Sequence, residues 1–139
     1  MSLKLKDSLK DESNQGKIEH LPVFKLPEKL RKNEQIHGSV TVGLKAPHPN
    51  TTEHNIVWMS IYFLPEGADF PYQILRISYD AHGASVKGGD TSGIYSDAEL
   101  CFTLRTATSG TLYCASYCNI HGLWNTSVPL ILEDEEEKE

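Results

Sequence analysis

The fold class of this chain is decided by the stretch His54-Asn55-Ile56-Val57-Trp58-Met59-Ser60-Ile61-Tyr62-Phe63-Leu64. Side chains alternate between the two faces of a strand, and both faces of this stretch are apolar. One face carries Ile56, Trp58 and Tyr62, and the other carries Val57, Met59, Ile61 and Phe63. The turn residues Pro65-Glu66-Gly67 end the run. The stretch therefore predicts a long buried strand.

Shorter strands are predicted on both sides of it. Apolar and polar residues alternate from Ile36 to Val42, which is typical of a half-buried strand. The glycine-rich segment 81–96 has little periodicity and is predicted to be a loop. Further strands are predicted at about 72–79, 100–104, 112–117 and 128–132, with a hairpin turn at 107–110. About seven short, mostly antiparallel strands with no convincing helix favour an all-β sandwich or barrel.

The charge of the chain is concentrated at its C-terminus. Of the formal net charge of −6, residues 133–139 contribute −5 through six acids and one lysine, which leaves −1 for the rest. A nearly neutral body has no electrostatic footprint for nucleic acid. We predict an N-terminal arm or short helix at 1–16, one β domain at 17–132 and an acidic, disordered tail at 133–139.

The sequence predicts a cytoplasmic protein without a membrane segment. The first 16 residues lack the apolar region of a secretory signal, and no apolar run is long enough to span a bilayer. Three cysteines cannot all pair within the chain. On one strand, Cys114 and Cys118 would lie roughly 13 Å apart, which is too far for a disulfide. Cys101 and Cys114 are therefore expected to be small core or surface residues.

Five residues in three separate clusters are candidate ligands of one metal ion. They are His20, the pair His48 and His54, and the pair Cys118 and His121. A structural zinc site needs only four protein ligands and is usually richer in sulfur. Four imidazoles and one thiolate leave room for a sixth position, a pattern that suits iron in one-electron chemistry.

The chain must fold back for these residues to meet. Along a straight strand, His48 and His54 would lie roughly 20 Å apart, so residues 49–52 are predicted to turn. The spacing of Cys118 and His121 is that of a metal-binding loop, while His20 alone is weak support. Two other histidines are not expected to be ligands: His37 as a solvated residue, and His82 as a hydrogen-bonded loop residue.

Two other classes of function remain open at this point. A copper-type electron-transfer protein on a β-sandwich would use two histidines, one cysteine and a weak axial methionine. Neither Met1 nor Met59 is near Cys118 in the sequence, and four histidines are too many. The other class is a non-catalytic module stabilised by a metal. The metal content distinguishes the three classes of function. Iron indicates the one-electron site, copper indicates the electron-transfer protein, and zinc or no metal indicates the non-catalytic module.

Five longer stretches of the chain match the motifs of a known protein family. They are His20-Leu21-Pro22-Val23, Pro47-His48-Pro49-Asn50-Thr51-Thr52-Glu53-His54, Tyr62-Phe63-Leu64-Pro65-Glu66-Gly67, Ala81-His82-Gly83 and Ser116-Tyr117-Cys118-Asn119-Ile120-His121-Gly122-Leu123-Trp124. Through these stretches, residues 17–132 resemble the superoxide reductases of the one-iron neelaredoxin type. The resemblance implies an immunoglobulin-like β-barrel with one non-haem iron per chain. It implies equatorial ligation by His20, His48, His54 and His121, and axial ligation by Cys118.

The resemblance also implies a reaction and its partners. The reaction is the one-electron reduction of superoxide to hydrogen peroxide, during which the iron passes from Fe²⁺ to Fe³⁺. An electron donor protein such as rubredoxin would then reduce the iron again. The resemblance further implies a homo-oligomer, specifically a tetramer. Hydrogen bonds from backbone N–H groups to the cysteine sulfur are expected to tune the site.

The chain departs from the family pattern just before its first histidine ligand. The family usually has Glu-Lys there, whereas this chain has Ile18 and Glu19. Isoleucine cannot bind iron, so we expect water, hydroxide or no ligand at the sixth position of ferric iron. Glu19 has the right chemistry for a ligand but the wrong position, because in an extended segment it points to the side opposite Ile18 and to the same side as Lys17. Lys17 is then a candidate for the missing catalytic lysine.

Overall fold

The computed structural model describes residues 4–11 and 18–133. These contain a short α-helix, α1 (Leu5–Ser8), and a 3-10 helix at Ile18–His20. The strands are β1 (Pro22–Lys25), β2 (Ile36–Val42), β3 (Ile56–Pro65), β4 (Tyr72–Ser78), β5 (Glu99–Leu104), β6 (Gly110–Cys118) and β7 (Gly122–Leu130). No helix in these ranges is long and apolar enough to cross a membrane. Apart from Glu133, the predicted acidic tail lies outside the described residues.

Two antiparallel sheets form the body of the fold. One has the strand order β1-β2-β5 and the other β4-β3-β6-β7. Both contribute to a single core, in which Val40 and Phe102 of the first sheet pack with Met59, Ile61 and Leu112 of the second. Burial of these apolar side chains is the main favourable contribution to folding. The predicted all-β, sandwich-like fold is confirmed.

The predicted boundaries were least accurate at the two ends of the domain. Strand β1 was not predicted, because four residues beginning with a proline carry almost no periodic signal. Strand β7 was predicted to begin near Val128 but begins at Gly122. Its whole length pairs with β6, from Cys118 opposite Gly122 to Gly110 opposite Leu130. The backbone of Lys10 pairs in parallel with β7 at Trp124.

A register shift in β3 corrects the predicted assignment of its faces. Met59, Ile61 and Phe63 point into the core, as predicted. The pairing with β6 slips between Ile56 and Trp58, and Ile56 is buried in the core although strict alternation put it on the other face. A β-bulge inserts one residue and so reverses the faces beyond it. The slip lies at the end of β3 nearest His54.

Replacing Gly110 with alanine is expected to lower the free energy of unfolding by about 1–3 kcal/mol, the usual cost of overpacking. An added Cβ would clash with the backbone oxygen of Leu64 and with the ring of Phe63. Urea unfolding measures the loss. Gly89→Ala is the matched control, because a Cβ there would meet Thr52 at an ordinary 3.6 Å. Equal stability of both variants would contradict this packing.

Candidate metal centre

Four of the five predicted ligands converge at one end of the four-stranded sheet. The candidate ligand atoms of His20, His54, Cys118 and His121 all lie within 4.8 Å of one another. His20 Nε2 is 3.0 Å from His121 Nδ1, and His54 Nε2 is 3.2 Å from Cys118 Sγ. His20 and Cys118 are buried, His54 is half-buried and His121 is exposed. The group is therefore anchored in the protein and open to solvent on one side.

Strands β3, β6 and β7 position three of these residues, which lie at or next to the strand ends. Cys118 is the last residue of β6, and His121 lies in the tight turn before β7 begins at Gly122. Gly122 has a φ of 84°, in the left-handed region that glycine adopts without strain. His54 lies two residues before β3, whose first residue, Ile56, pairs with Cys118. The pairing of β3 with β6 therefore brings His54 to Cys118.

Asn119 ties the turn that carries Cys118 and His121 to the segment that carries His54. Its side-chain oxygen accepts a hydrogen bond from Asn55 N at 2.9 Å, and its side-chain nitrogen donates to Glu53 O at 2.8 Å. Asn55 and Glu53 are the two residues next to His54 in the chain, so these hydrogen bonds hold the backbone on both sides of it. This role of Asn119 is not among the sequence-based predictions, although asparagine at such a turn commonly bonds to backbone groups.

His20 reaches the group from the 3-10 helix at Ile18–His20. Its backbone oxygen accepts a hydrogen bond from Ser116 Oγ at 3.3 Å. The indole of Trp124 stacks on its imidazole, with ring centroids 4.7 Å apart and an interplanar angle of 11°. Trp124 Nε1 also donates to His121 O at 3.3 Å. Trp124 thus contacts two candidate ligands, a role that its motif in the sequence did not indicate.

His48 lies beside the four-residue group but is not part of it. Its ring centroid is 4.7 Å from that of His20 and 4.9 Å from that of His54. His48 Nδ1 donates to Pro49 O at 2.6 Å, which leaves Nε2 as the nitrogen with a free lone pair. Nε2 is buried and, among the described residues, has no hydrogen-bond partner. A buried, unprotonated ring nitrogen of this kind fits a metal ligand whose tautomer is set by its other nitrogen.

The segment between His48 and His54 turns as predicted and is held by the loop at 81–96. Thr51 N donates to His54 O at 2.9 Å, which closes the turn. Asn50 Oδ1 lies 2.8 Å from His82 Nδ1, and His82 Nε2 donates to Tyr79 O at 2.6 Å. Thr52 Oγ1 donates to His82 O at 3.0 Å. The prediction that His82 is a hydrogen-bonded loop residue is confirmed.

The sulfur of Cys118 differs in its surroundings from the other buried thiol. Cys118 Sγ accepts a hydrogen bond from His121 N at 3.3 Å, as expected for a thiolate tuned by backbone N–H groups. Cys114 Sγ instead lies 3.9 Å from Met59 Sδ, and burial raises the pKa of Cys114 to about 12. Cys114 is thus a neutral core residue, and Cys101 is exposed. Met59 is engaged in the core and is not an axial ligand for copper.

Burial and neighbouring imidazoles keep two of the histidines neutral. Burial is the main cause that lowers the pKa of His48 to about 4, and His20 and His54 lower it further. The hydrogen bond to Pro49 and the charge of Glu19 act in the opposite direction. The pKa of His54 is also lowered, by burial and then by His121. Neutral imidazoles are the form that binds metal ions.

In the metal-free protein, the free energy of unfolding is expected to decrease as the pH falls from about 6.5 to about 4. Over this range the unfolded chain, in which a histidine has a pKa of about 6.5, binds a proton that folded His48 does not. Urea midpoints measured against pH with a chelator present test this. His48→Gln is expected to have a shallower slope, and an unchanged slope would contradict the assignment.

The residues before His20 are arranged differently from the prediction. Ile18–His20 is a 3-10 helix, closed by the hydrogen bond from Leu21 N to Ile18 O at 3.2 Å, and is not extended. With three residues per turn, neighbouring side chains do not point to opposite sides. The extended conformation assumed for Ile18 and Glu19 is therefore wrong, and Glu19 Oε2 lies 3.4 Å from His20 Nδ1. Lys17 lies outside the described residues.

Comparisons with known proteins agree on one family. The desulfoferrodoxin family model matches residues 10–127. A superoxide reductase of Pyrococcus furiosus is 49% identical over 111 residues, which are 80% of this chain and 87% of that protein. A neelaredoxin of Megalodesulfovibrio gigas is 36% identical over 82% of this chain and 88% of that protein. The structure of a reduced superoxide reductase (neelaredoxin) of Archaeoglobus fulgidus has a TM-score of 0.81 at 42% identity, covering 89% of this chain and 98% of that one.

Proposed function

From the premise that this chain belongs to the desulfoferrodoxin family and is a superoxide reductase, we propose that its iron is bound by His20, His48, His54, Cys118 and His121. The observation that carries this proposal is the convergence of four donor atoms within 4.8 Å from segments up to 101 residues apart in the sequence. His48 Nε2, which is buried and has no hydrogen-bond partner in the part of the chain that the structure describes, supports the fifth position. The donor set also fits the metal, since imidazole and thiolate are both ligands of iron.

Iron bound at this site supplies the single electron that converts superoxide, with two protons, into hydrogen peroxide. The residues of the chain prepare the site for that substrate. Four neutral imidazoles and one thiolate bring one negative charge, which leaves ferrous iron with a net positive charge and favours an anion. The exposed side of His121 gives a small substrate access from solvent.

The proposal is tested by the metal content and by the reaction with superoxide. The purified, reduced protein is expected to contain about one iron per chain, and pulse radiolysis is expected to show that superoxide oxidises it close to the diffusion-limited rate of about 10⁸–10⁹ M⁻¹s⁻¹. Copper with no reaction would support an electron carrier. Zinc, or no metal, with no reaction would support a structural module. Either result would overturn the proposed function.

Its partners, location and organisation are part of the same proposal. We propose a rubredoxin-like electron donor and a homo-oligomer, specifically a tetramer, as the family resemblance implies. We propose a cytoplasmic location, which is supported by three free cysteines. The catalytic domain would span 17–132, with an arm at 1–16 and an acidic tail at 133–139. Elution of the full chain from a sizing column at the monomer mass would contradict the tetramer.

Lys17 stays a predicted catalytic residue. If it attracts superoxide, Lys17→Ala is expected to slow the reaction of the reduced protein with superoxide and to weaken the dependence of that rate on salt, because salt screens exposed charges. Pulse radiolysis at two ionic strengths measures both. Lys87→Ala, which removes an exposed lysine from the loop at 81–96, is the control. An unchanged rate and salt dependence in Lys17→Ala would leave Lys17 without a catalytic role.

A further inference from the structure

A carboxylate lies directly beside the imidazole of His20. Glu19 Oε2 is 3.4 Å from His20 Nδ1, an ion-pair distance that is slightly longer than the usual N–H···O hydrogen bond. The His20 side chain is 1% exposed and that of Glu19 is 28% exposed. Within the described part of the chain, the Glu19 carboxylate forms no ion pair with a lysine or arginine. Its negative charge is therefore directed at the histidine group.

The two ring nitrogens of His20 face different surroundings. Nε2 faces the group, 3.0 Å from His121 Nδ1, whereas Nδ1 faces Glu19. Stacking of Trp124 on one face of the ring restricts its tilt. A carboxylate next to Nδ1 stabilises the tautomer that carries its proton there, which leaves the Nε2 lone pair for the metal.

We propose that Glu19 is a positioning residue that holds His20 as an Nε2 ligand and places a negative charge next to the iron. This inference rests on the proposed function, since it takes His20 as a ligand. The negative charge stabilises ferric iron more than ferrous iron because the ferric ion carries one more positive charge. Glu19 therefore lowers the reduction potential of the iron. Its negative charge also repels superoxide, which lowers the rate at which the substrate reaches the iron.

Glu19 is not itself placed to bind the metal. Its carboxylate lies on the Nδ1 side of His20, and it is absent from the group of donor atoms within 4.8 Å of one another. A carboxylate behind a metal-bound histidine is a recurrent way to orient the ring and increase its basicity.

Two substitutions separate the charge from the contact. Glu19→Gln removes the charge but keeps an oxygen that can accept from Nδ1–H, whereas Glu19→Leu removes both. We expect both variants to raise the reduction potential. We expect Glu19→Leu alone to weaken iron binding, by about 10–100-fold, the usual loss for a group behind a metal ligand. In both variants, superoxide should react faster at low salt, and this difference from the unmodified protein should disappear at high salt.

Glu53→Gln is the matched control. Glu53 also directly precedes a proposed ligand, His54, but its side chain is exposed and forms no ion pair within the described residues. Potentials that are equal for the unmodified protein, Glu19→Gln and Glu53→Gln would overturn the role of Glu19 while leaving the proposed function intact. Failure of the unmodified protein to bind iron would overturn both.

A measurement on the zinc-loaded protein tests the tautomer without any enzyme activity. Zinc is diamagnetic, so nitrogen-15 NMR can show which ring nitrogen of His20 carries the proton. We expect a proton on Nδ1 in the unmodified protein and in Glu19→Gln, and a loss or faster solvent exchange of that proton in Glu19→Leu. A proton on Nε2 in the unmodified protein would overturn the proposed role.

Discussion

Replacing Cys118 with serine is expected to have the largest effect on the reaction. The Cys118 sulfur lies 3.2 Å from His54 Nε2 and 3.8 Å from His121 Nδ1, so it forms one side of the site. Serine is similar in size, but its hydroxyl does not lose its proton near neutral pH, and it brings no negative charge to the iron. We expect the reaction with superoxide to slow by more than about 100-fold, beyond the usual loss for a group that only supports a ligand.

The colour of the ferric protein gives a second, independent measurement. Absorption that arises from charge transfer between the Cys118 sulfur and ferric iron should disappear in Cys118→Ser. Cys101→Ser is the matched control, because Cys101 is an exposed residue of β5 and the same atom is changed. If Cys118→Ser kept the absorption and the rate of Cys101→Ser, Cys118 would not be a ligand.

Replacing Trp124 with alanine is expected to have the largest effect on stability. Trp124 is 3% exposed, and truncation of a buried aromatic residue usually costs about 3–5 kcal/mol. The loss has two further consequences at the site, since the indole stacks on His20 and its N–H donates to His121 O. We expect weaker iron binding together with the lower free energy of unfolding.

A second variant distinguishes the packing from the hydrogen bond. Trp124→Phe keeps an aromatic ring for His20 to stack on but has no N–H group. It should lose about 1 kcal/mol for the missing hydrogen bond and part of the buried area, and most of its iron affinity should remain. Urea unfolding of the metal-free protein and metal titration measure the two effects. Equal iron affinity in Trp124→Ala and in the unmodified protein would show that the stacking does not support His20.

The fold was predictable where burial leaves a regular pattern. From Ile36 to Val42, the alternation of buried and more exposed residues in the structure is the one that the sequence displays, and the predicted bounds of this strand are confirmed. Strand β7 has no such pattern at its start, where Gly122, Asn125 and Ser127 resemble loop residues. Its pairing with all of β6 overrides that local preference, and pairing between strands is not visible in a single segment.

The candidate ligands could be predicted from the chemistry of their side chains, but the residues that contact these ligands could not. Histidine and cysteine side chains are distinctive as ligands, so their clusters indicate a metal site even when they are far apart in the sequence. The contact of Glu19 with His20 depends on a 3-10 helix closed by one hydrogen bond from Leu21 N to Ile18 O. Three residues carry no periodic signal that distinguishes such a helix from an extended segment.

The backbone of Lys10 has a consequence for self-association. Strand β7 is an edge strand of its sheet. The backbone oxygen of Lys10 covers part of this edge by accepting a hydrogen bond from Asn125 N at 2.8 Å. Asn125 Nδ2 also donates to Lys10 O, at 3.1 Å. The unpaired backbone groups of an exposed edge strand can pair with strands of other molecules and cause aggregation. Deletion of residues 1–11 should therefore make the protein more prone to aggregate, even though that segment contains none of the proposed iron ligands.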